Sequence, residues 1–280
     1  MTVLITGANG QLGSELTNLL KQQNIDFIAY DSQEMDITDF DKTLSIIKDI
    51  KPSVVYHCAA YTAVDLAEDE GKEMNYLVNV DGTKNVAQAC KKVGATLVYI
   101  STDYVFDGKK REVPYIETDK TSPINEYGEA KLLGEQVVQE ILNNYYIIRT
   151  SWVFGEYGNN FVYTMKKLAK THDQLTVVND QVGRPTWTKS LAEFMTYLVQ
   201  NNCEYGTYHF SNDDICTWYE FAQEILQDDN VTISPVTSDQ FITKAARPEY
   251  SIMDLEKAKS TGYEIISWKT ALQHFLEGIK

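Results

Sequence analysis

The chain alternates short apolar runs with longer segments in which apolar residues recur every three or four positions. The apolar runs of the first half predict five strands, at residues 3–6, 25–30, 54–58, 97–101 and 145–149. The periodic segments between them predict helices at residues 11–23, 40–49, 71–93 and 126–142. Continuous apolar strands indicate a parallel sheet that is covered on both faces. The first half therefore predicts an α/β fold, a Rossmann-type doubly wound parallel sheet with right-handed crossovers.

The rhythm becomes irregular after Thr150. Helices are predicted at residues 161–170, 188–200, 218–226 and 268–280, and short strands at residues 175–178, 207–210 and 231–236. In one helix Leu191, Phe194, Met195 and Leu198 share a single stripe, which we expect to pack on a core. No repeat or linker separates the two halves. We expect residues 1–150 to form a Rossmann domain, and residues 151–280 to form mainly a smaller α+β substrate-binding domain with some segments returning to the first.

Composition and charge narrow the range of partners. The 280 residues are 43% hydrophobic and include 15 Gly and 6 Pro, a balance typical of globular proteins. There are 25 basic and 40 acidic residues, and the net charge of −15 repels nucleic acid backbones and anionic lipids. The N-terminal residues resemble neither a signal peptide nor a membrane span. We therefore expect a cytoplasmic protein with no nucleic acid and no membrane partner.

A glycine-rich turn follows the first predicted strand and opens the next helix. In the segment Thr6-Gly7-Ala8-Asn9-Gly10-Gln11-Leu12-Gly13, the glycines permit a tight turn and let backbone N–H groups approach a pyrophosphate. At this place in a strand–turn–helix unit the pattern indicates a dinucleotide cofactor. The predicted cofactor-binding residues of the turn are Gly7, Asn9, Gly10, Gln11, Leu12 and Gly13.

A carboxylate, Asp31, ends the second predicted strand. In this fold such a carboxylate can accept hydrogen bonds from the adenosine ribose, and this would favour NADH over NADPH. Aspartate is also a common turn residue at the end of a strand, so the preference between NADPH and NADH stays open.

A tyrosine and a lysine lie one helical turn apart in the segment Tyr127-Gly128-Glu129-Ala130-Lys131. Tyr163 and Lys167 have the same spacing, so the spacing alone does not identify a site. Tyr127, however, follows a strand that ends in Ser101-Thr102-Asp103, and the carboxyl ends of parallel strands face the ligand crevice. An ammonium and a hydroxyl beside a phenol stabilise its phenolate, which helps acid catalysis near neutral pH. We therefore predict Tyr127, Lys131 and Thr102 as the catalytic residues.

These two motifs resemble those of the extended short-chain dehydrogenase/reductase family, and the likeness extends over essentially the whole chain. Within that family, seven blocks in the same order resemble the dTDP-4-dehydrorhamnose reductases. The blocks are Ile5-Thr-Gly-Ala-Asn-Gly-Gln-Leu-Gly13, Cys58-Ala-Ala-Tyr-Thr-Ala-Val-Asp65, Ser101-Thr-Asp-Tyr-Val-Phe-Asp-Gly108, Pro123-Ile-Asn-Glu-Tyr-Gly128, Arg149-Thr-Ser-Trp-Val-Phe-Gly155, Gly183-Arg-Pro-Thr186 and Ala246-Arg-Pro-Glu-Tyr-Ser251.

The resemblance implies hydride transfer from NADPH or NADH to keto carbon 4 of dTDP-4-dehydro-6-deoxy-L-mannose, which is dTDP-4-dehydrorhamnose. Tyr127 would protonate the developing alkoxide to give dTDP-L-rhamnose, for use in cell-surface polysaccharide. Lys131 would also bind the nicotinamide ribose, and Thr102 would hydrogen-bond the sugar oxygen. The implied further cofactor contacts are Ala59, Ala60 and Tyr61, and the implied sugar contacts are Thr62, Val64, Asp103, Tyr104 and Trp152. Asn125 matches the family's Asn-x-Tyr-Gly arrangement without a defined role.

Two other functions stay open. A nucleotide-sugar dehydratase or epimerase shares the fold and the Tyr-x-x-x-Lys pair, but a dehydratase resembles Thr-Asp-Glu where this chain has Thr102-Asp103-Tyr104. Without that carboxylate an elimination lacks its base. The other alternative is a non-catalytic NADP-binding regulatory subunit, and the intact Tyr127 and Lys131 argue against it.

Two arginines of the second half, Arg184 and Arg247, stand beside proline. A loop fixed by proline could present either guanidinium to the pyrophosphate of the substrate, and Arg247 is the better candidate. The alternative for each is an ion pair with surface carboxylates of this acidic protein.

The cysteines and histidines lack the spacing of a zinc site or a disulfide framework. Some members of the family resemble metal-linked dimers, in which acidic residues of the first helix and of the helix after Gly-x-Pro-Thr meet. Glu15 is present here, but Lys189-Ser190 occupy the place of the partner acidic pair, and a lysine repels a divalent cation. We therefore predict no metal, and a monomer or weak homodimer without the metal-linked interface.

Overall fold

A computed structural model describes residues 2–109 and 112–279 of the chain. Its strands are β1 (Val3–Thr6), β2 (Phe27–Tyr30), β3 (Val54–His57), β4 (Thr96–Thr102), β5 (Tyr145–Thr150), β6 (Val153–Phe154), β7 (Gln174–Val178), β8 (Val182–Gly183), β9 (Thr186–Trp187), β10 (Gly206–His209), β11 (Cys216–Thr217) and β12 (Thr232–Val236). Its α-helices are α1 (Gln11–Gln22), α2 (Phe40–Ile50), α3 (Lys72–Tyr76), α4 (Thr83–Val93), α5 (Glu126–Ile141), α6 (Phe161–Ala169), α7 (Thr188–Gln200), α8 (Trp218–Ile225), α9 (Glu256–Ser260) and α10 (Trp268–Gly278). The predicted end of the last helix at residue 280 lies outside the described residues.

Six strands form the main sheet in the order β2-β1-β3-β4-β5-β10, and every neighbouring pair is parallel. The chain passes from β1 to β2 on one side and then crosses to β3 on the other side of β1. Ligand crevices of such sheets lie at the carboxyl ends of the strands at this point of reversal. The predicted Rossmann-type doubly wound sheet is confirmed, and its crevice lies beyond the ends of β1 and β3.

Both faces of the sheet are covered by helices. The side chains of Val3 and Ile5 point into a core formed with α1 and α7, whereas Leu4 points into the core formed with α2, α4 and α5. This alternation follows from the two-residue period of a strand. Because helices cover both faces of the sheet, all four residues of β1 are buried. The predicted stripe of α7, from Leu191 to Leu198, is completely buried in the first of these cores.

The helix predicted over residues 71–93 is interrupted in the structure. Between α3 and α4 the residues Leu77–Gly82 form a π-helical turn, which is wider than an α-helical turn. The buried side chain of Asn79 lies in this turn, where it accepts a hydrogen bond from the backbone N–H of Tyr61 and donates one to the Tyr61 carbonyl. These contacts with a distant loop account for the break, which the periodic pattern could not predict.

The second half forms a separate apolar core and also contributes to the first half. Helices α6, α8 and α10 share a core that includes Phe154, Phe221, Trp268 and Phe275. Three two-stranded sheets lie beside this core, formed by β6 with β9, β7 with β12 and β8 with β11. In contrast, β10 pairs with β5 in the main sheet and α7 packs against α1.

Within the described residues, no helix has the length and apolar character needed to cross a membrane. The same part of the chain holds no group of three or more His, Cys, Asp or Glu side chains arranged for a metal ion. The cysteines, which are Cys58, Cys90, Cys203 and Cys216, are free thiols.

Candidate active site

The glycine turn after β1 fits closely against the loop that follows β3. Gly7 has a φ of +69°, and a Cβ at this position would lie 2.5 Å from the backbone N of Ala59. A Cβ at Gly13 would lie 2.2 Å from the carbonyl oxygen of Gly7. Only glycine therefore allows these three pieces of backbone to meet, as the sequence pattern predicts.

Helix α1 begins at this turn with its first N–H groups uncapped. Gly10 is the N-cap residue, and no side chain within residues 2–109 and 112–279 accepts a hydrogen bond there. Oε1 of Gln11 is buried and also has no partner in that part of the chain. Free N–H groups at the positive end of a helix bind anions. The turn therefore fits a dinucleotide pyrophosphate, with Asn9 exposed at its rim and Leu12 packed on the core.

Asp31 closes a small turn at the end of β2, next to the glycine turn. Its carboxylate accepts hydrogen bonds from Nδ2 of Asn9 at 2.6 Å and from the backbone N of Gln33 at 2.8 Å. Both interpretations of this residue thus have a basis, because Asp31 acts as a turn residue and also lies beside the predicted cofactor turn. Nζ of Lys42 lies 3.4 Å from the Gln33 carbonyl oxygen, so a cation also stands near this turn.

The loop after β3 carries the residues implied for cofactor and sugar contacts. Oδ1 of Asn79 accepts a hydrogen bond from the backbone N of Tyr61 at 3.1 Å, and Nδ2 of Asn79 donates to the Tyr61 carbonyl oxygen at 3.0 Å. The backbone N of Val64 donates to the Thr62 carbonyl at 2.9 Å, which makes the loop turn sharply. Ala60 and Thr62 are exposed, whereas Ala59, Tyr61 and Val64 are half-buried. No sequence pattern pointed to Asn79, because it lies within a segment whose periodicity predicts one continuous helix.

Tyr127, Lys131 and Thr102 come together at the end of β4. The side chain of Asn125 caps α5 by accepting from the backbone N of Gly128 at 2.7 Å, and it starts the helix just before Tyr127. The phenol of Tyr127 lies beside the Thr102 hydroxyl, which favours its phenolate. Lys131 is buried one turn further on, with Nζ 4.1 Å from the ring centroid of Tyr99. By contrast, Tyr163 lies elsewhere, and its hydroxyl donates to the Glu156 carbonyl at 3.1 Å.

Burial controls the ionisation of these groups. The pKa of Tyr127 lies above its ordinary value because burial, and then the nearby Asp103 and Tyr104, disfavour the phenolate, while the neighbouring Thr102 hydroxyl opposes this effect. Burial also lowers the pKa of Lys131 to about 7, against the attraction of Glu135. Tyr127 is thus a protonated phenol at neutral pH, which is the state that a proton donor requires.

Asp103 presents an unsatisfied oxygen beside the Thr102 hydroxyl. Its Oδ1 accepts a hydrogen bond from the Thr102 hydroxyl at 3.0 Å, and Ser251 lies close enough to favour the carboxylate. Its Oδ2 is buried without a partner among the described residues. Burial raises the pKa of Asp103 to about 6, although these neighbours favour its carboxylate. A ligand hydroxyl at this place would satisfy the free oxygen.

Tyr104 and Arg247 extend the site from Tyr127 towards solvent. The rings of Tyr104 and Tyr127 meet edge to face with centroids 5.8 Å apart. The hydroxyl of Tyr104 accepts from Arg247 at 3.4 Å, and Arg247 also forms an ion pair with Asp65 at 2.7 Å. Asp65 ends one of the seven sequence blocks, but no local pattern connects it with Arg247, which lies 182 residues later in the chain.

Trp152 and Arg184 contact other parts of the second half. Trp152 adopts a φ of +49°, which is unusual for a bulky residue, and its ring stacks on Trp218 with centroids 3.7 Å apart. The guanidinium of Arg184 donates to the Met253 carbonyl at 2.6 Å and faces Asp213 at 3.9 Å. The structure therefore gathers Thr102, Asp103, Tyr104, Tyr127, Lys131 and Arg247, and it engages Arg184 in contacts within the second half.

Known proteins resemble this chain over its full length. The family described as the RmlD substrate binding domain matches residues 1–280. The chain is 40% identical over 287 residues to the dTDP-4-dehydrorhamnose reductase of Aggregatibacter actinomycetemcomitans, with 97% of this chain and 97% of that protein covered.

Two solved structures are also similar. One is a dTDP-4-dehydrorhamnose reductase of Clostridium acetobutylicum, with a TM-score of 0.96 and 43% identity over 100% of this chain and 99% of that chain. The other is the dTDP-4-dehydrorhamnose reductase of Bacillus anthracis in complex with NADP, with a TM-score of 0.95 and 43% identity over 99% of each chain. Together with the fold and the arrangement of Tyr127, Lys131 and the glycine turn, these likenesses identify the chain as a member of the RmlD substrate binding domain family, among the extended short-chain dehydrogenases/reductases.

Proposed function

We propose that this protein is an oxidoreductase that uses NADPH or NADH to reduce the 4-keto group of dTDP-4-dehydrorhamnose to dTDP-L-rhamnose. The observation that carries the proposal is the buried Tyr127 phenol, which lies beside the Thr102 hydroxyl and one helical turn from Lys131. The names of the similar proteins support the substrate class. The product would serve polysaccharide biosynthesis.

Tyr127 donates the proton in this reaction. Reduction places negative charge on the oxygen of carbon 4, and the protonated phenol supplies the proton that makes it a hydroxyl. When substrate is bound, the Thr102 hydroxyl turns its proton from Oδ1 of Asp103 to the same substrate oxygen. Burial lowers the pKa of Lys131 to about 7, so this lysine is about half protonated at neutral pH, and its positive charge stabilises the phenolate left on Tyr127. A proton from solvent then restores the phenol.

The glycine turn and the loop after β3 hold the cofactor. Gly7, Gly10 and Gly13 let the backbone approach the pyrophosphate, and α1 directs its N–H groups at the anion. The further residues that we assign to the cofactor are Asn9, Gln11, Leu12, Asp31, Ala59, Ala60, Tyr61, Tyr127 and Lys131. When bound, the nicotinamide supplies the hydride. An NADP complex of a similar protein supports NADPH, and Asp31 supports NADH, so the proposal includes both cofactors.

The substrate occupies the side of the crevice lined by Asp103, Tyr104 and Arg247. Oδ2 of Asp103 accepts from a sugar hydroxyl, which removes an unsatisfied buried acceptor. Arg247 binds the diphosphate, because a guanidinium forms strong charge-assisted hydrogen bonds to phosphate oxygens. Thr62, Val64 and Trp152 complete the sugar pocket. Arg247 contacts Tyr104, whose ring meets that of Tyr127, whereas Arg184 donates to the Met253 carbonyl in the second half, so we assign the diphosphate to Arg247 first and to Arg184 as the second candidate.

The proposal extends to the organisation of the protein. Residues 1–150 form the NAD(P)-binding domain, and residues 151–280 form mainly the substrate-binding domain, while the positions of β10 and α7 support the return of some segments. The enzyme works as a monomer or weak homodimer without a metal-linked interface. We place it in the cytoplasm, where thiols such as the four free cysteines stay reduced.

The test compares two tyrosine variants. Purified protein is given dTDP-4-dehydrorhamnose with NADPH or NADH, and cofactor oxidation and dTDP-rhamnose are measured. Tyr127→Phe should lower kcat by about 10²- to 10⁴-fold with little change in cofactor affinity. Tyr163→Phe, which has the same spacing to a lysine, should leave kcat unchanged. Equal losses in the two variants would refute the assignment, and a keto-sugar product from dTDP-glucose and NAD⁺ would show a dehydratase instead.

A further inference from the structure

Asn125 joins the catalytic helix to the segment that carries Arg247. Its Oδ1 accepts from the backbone N of Gly128 at 2.7 Å and caps α5 two residues before Tyr127. Its Nδ2 donates to the carbonyl oxygen of Ala246 at 2.9 Å. The side chain is only 7% exposed, so both of its polar ends are in use inside the protein.

Residues 244–247, which we call the arginine strap, lie across the first half of the chain. Oδ1 of Asp65 accepts from the backbone N of Ala245 at 3.0 Å, and Oδ2 of the same carboxylate pairs with Arg247 at 2.7 Å. Lys244 forms an ion pair with Asp69 at the exposed end of the strap. Exposed ion pairs contribute little to stability, so the neutral bond from the buried Asn125 is the firmest link between strap and helix.

This arrangement fixes the distance between Arg247 and Tyr127. Asn125 reaches Ala246 on one side and Gly128 on the other, and these residues are direct neighbours of Arg247 and Tyr127 in sequence. A sugar nucleotide held by its diphosphate must present its keto group to Tyr127, so the reach from Arg247 to Tyr127 decides whether it is aligned.

We propose that Asn125 is a positioning residue that sets Arg247 at the correct reach from Tyr127, through its bond to the arginine strap. The inference rests on the proposed function, because it assigns the diphosphate to Arg247. Asn125 itself contacts neither substrate nor cofactor. It acts through Arg247, and its effect therefore falls on recognition of the sugar nucleotide and not on cofactor binding.

The test separates the two bonds of Asn125. In Asn125→Ser the hydroxyl still caps α5, since serine is a strong N-cap residue, but it is too short to donate to Ala246. We expect KM for dTDP-4-dehydrorhamnose to rise about fivefold, with a smaller change in kcat and an unchanged Kd for NADPH. The backbone N–H of Ala245 donates a hydrogen bond to Asp65, and its hydrogen exchange should become faster in this variant.

Asn160→Ser is the matched control. Asn160 is 9% exposed, caps α6 through the backbone N of Tyr163 at 3.2 Å, and donates to the Gly155 carbonyl at 2.8 Å. It has the same chemistry as Asn125 but no contact with the strap. Its serine variant should lose a similar amount of stability and keep the wild-type KM.

The decisive comparison repeats Asn125→Ser in an Arg247→Ala background. If Asn125 acts through Arg247, the serine substitution adds nothing to the raised KM of that background. A further rise of the same size there, or an unchanged KM in Asn125→Ser alone, would overturn the proposal. An unchanged KM in Arg247→Ala alone would overturn the diphosphate assignment and the inference that rests on it, while faster exchange at the Ala245 amide would still report the structural link.

Discussion

Replacing Lys131 by methionine should make the protein more stable while it removes activity. Lys131 is 3% exposed, and its ammonium faces the Tyr99 ring at 4.1 Å. Glu135 attracts it from one turn away, but both oxygens of that carboxylate are bound by Arg149 at 2.9 and 2.7 Å. The buried charge is therefore poorly compensated, and burial lowers its pKa from 10.5 to about 7.

The size of this effect follows from proton linkage. Between about pH 7 and pH 10.5 the unfolded chain binds the Lys131 proton more tightly than the folded protein does, so this residue makes wild-type stability rise with pH. A tenfold change in proton affinity corresponds to about 1.4 kcal/mol. The depressed pKa then destabilises the fold by roughly 5 kcal/mol at pH 6 and by only about 1 kcal/mol at pH 10. Loss of the contact with Tyr99 offsets about 0.5–2 kcal/mol of this at pH 6.

We therefore expect Lys131→Met to raise the free energy of unfolding by about 3 kcal/mol at pH 6 and by about 1 kcal/mol at pH 10. Urea unfolding of the wild type and the variant at both values of pH measures the difference. Lys91→Met, an exposed substitution on α4, is the control and should give the same small change at each pH. The reasoning fails if Lys131→Met lowers stability at pH 6, or if its gain does not shrink as the pH rises.

Two further variants test other parts of the structure. Asp31→Asn should shift the ratio of kcat/KM for NADPH over NADH upward by about tenfold, because the carboxylate near the adenosine site repels a 2′-phosphate, and an unchanged ratio would show that Asp31 serves only its turn. Glu15→Gln should increase the free energy of unfolding at pH 9 and flatten its pH dependence. Burial and the neighbouring Glu156 raise the pKa of Glu15 from 4.5 to about 8, so the unfolded chain loses this proton first and wild-type stability falls between about pH 5 and pH 8. Urea unfolding at pH 6 and pH 9 measures the free energy of unfolding, and a steeper decline of this free energy with pH in the variant would contradict this account.

The main sheet could be predicted because its information is local. Each of the five strands predicted in the first half appears in the structure, since a strand that is buried on both faces must be apolar throughout. The bounds differ by one or two residues where backbone bonds of a turn compete. Ile25, for example, does not begin β2, because its N–H closes the end of α1 on the Leu20 carbonyl. The short strands β6, β8, β9 and β11 have two residues each, too few for any periodicity.

The same limit applies to the candidate site. The glycine turn and the pair of Tyr127 and Lys131 are recognisable because a single turn or helix fixes their spacing. The bond from Asn125 to Ala246 joins positions 121 residues apart, and the ion pair from Arg247 to Asp65 spans 182 residues. Such partners are chosen by the folding of the whole chain, and no window of the sequence contains both.

The π-helical turn at Leu77–Gly82 also determines how this stretch can change during evolution. Each residue of an α-helix advances by about 100° around the axis, so deletion of one residue here would rotate α4 by about that angle against α3. Thr83, whose hydroxyl lies 3.2 Å from Nε2 of His57, would lose this contact with β3, or Asn79 would lose its bonds to the Tyr61 loop. Substitutions at the exposed Leu77 and Asp81 avoid this conflict. Changes of side chain should therefore accumulate in this turn far more readily than a single insertion or deletion.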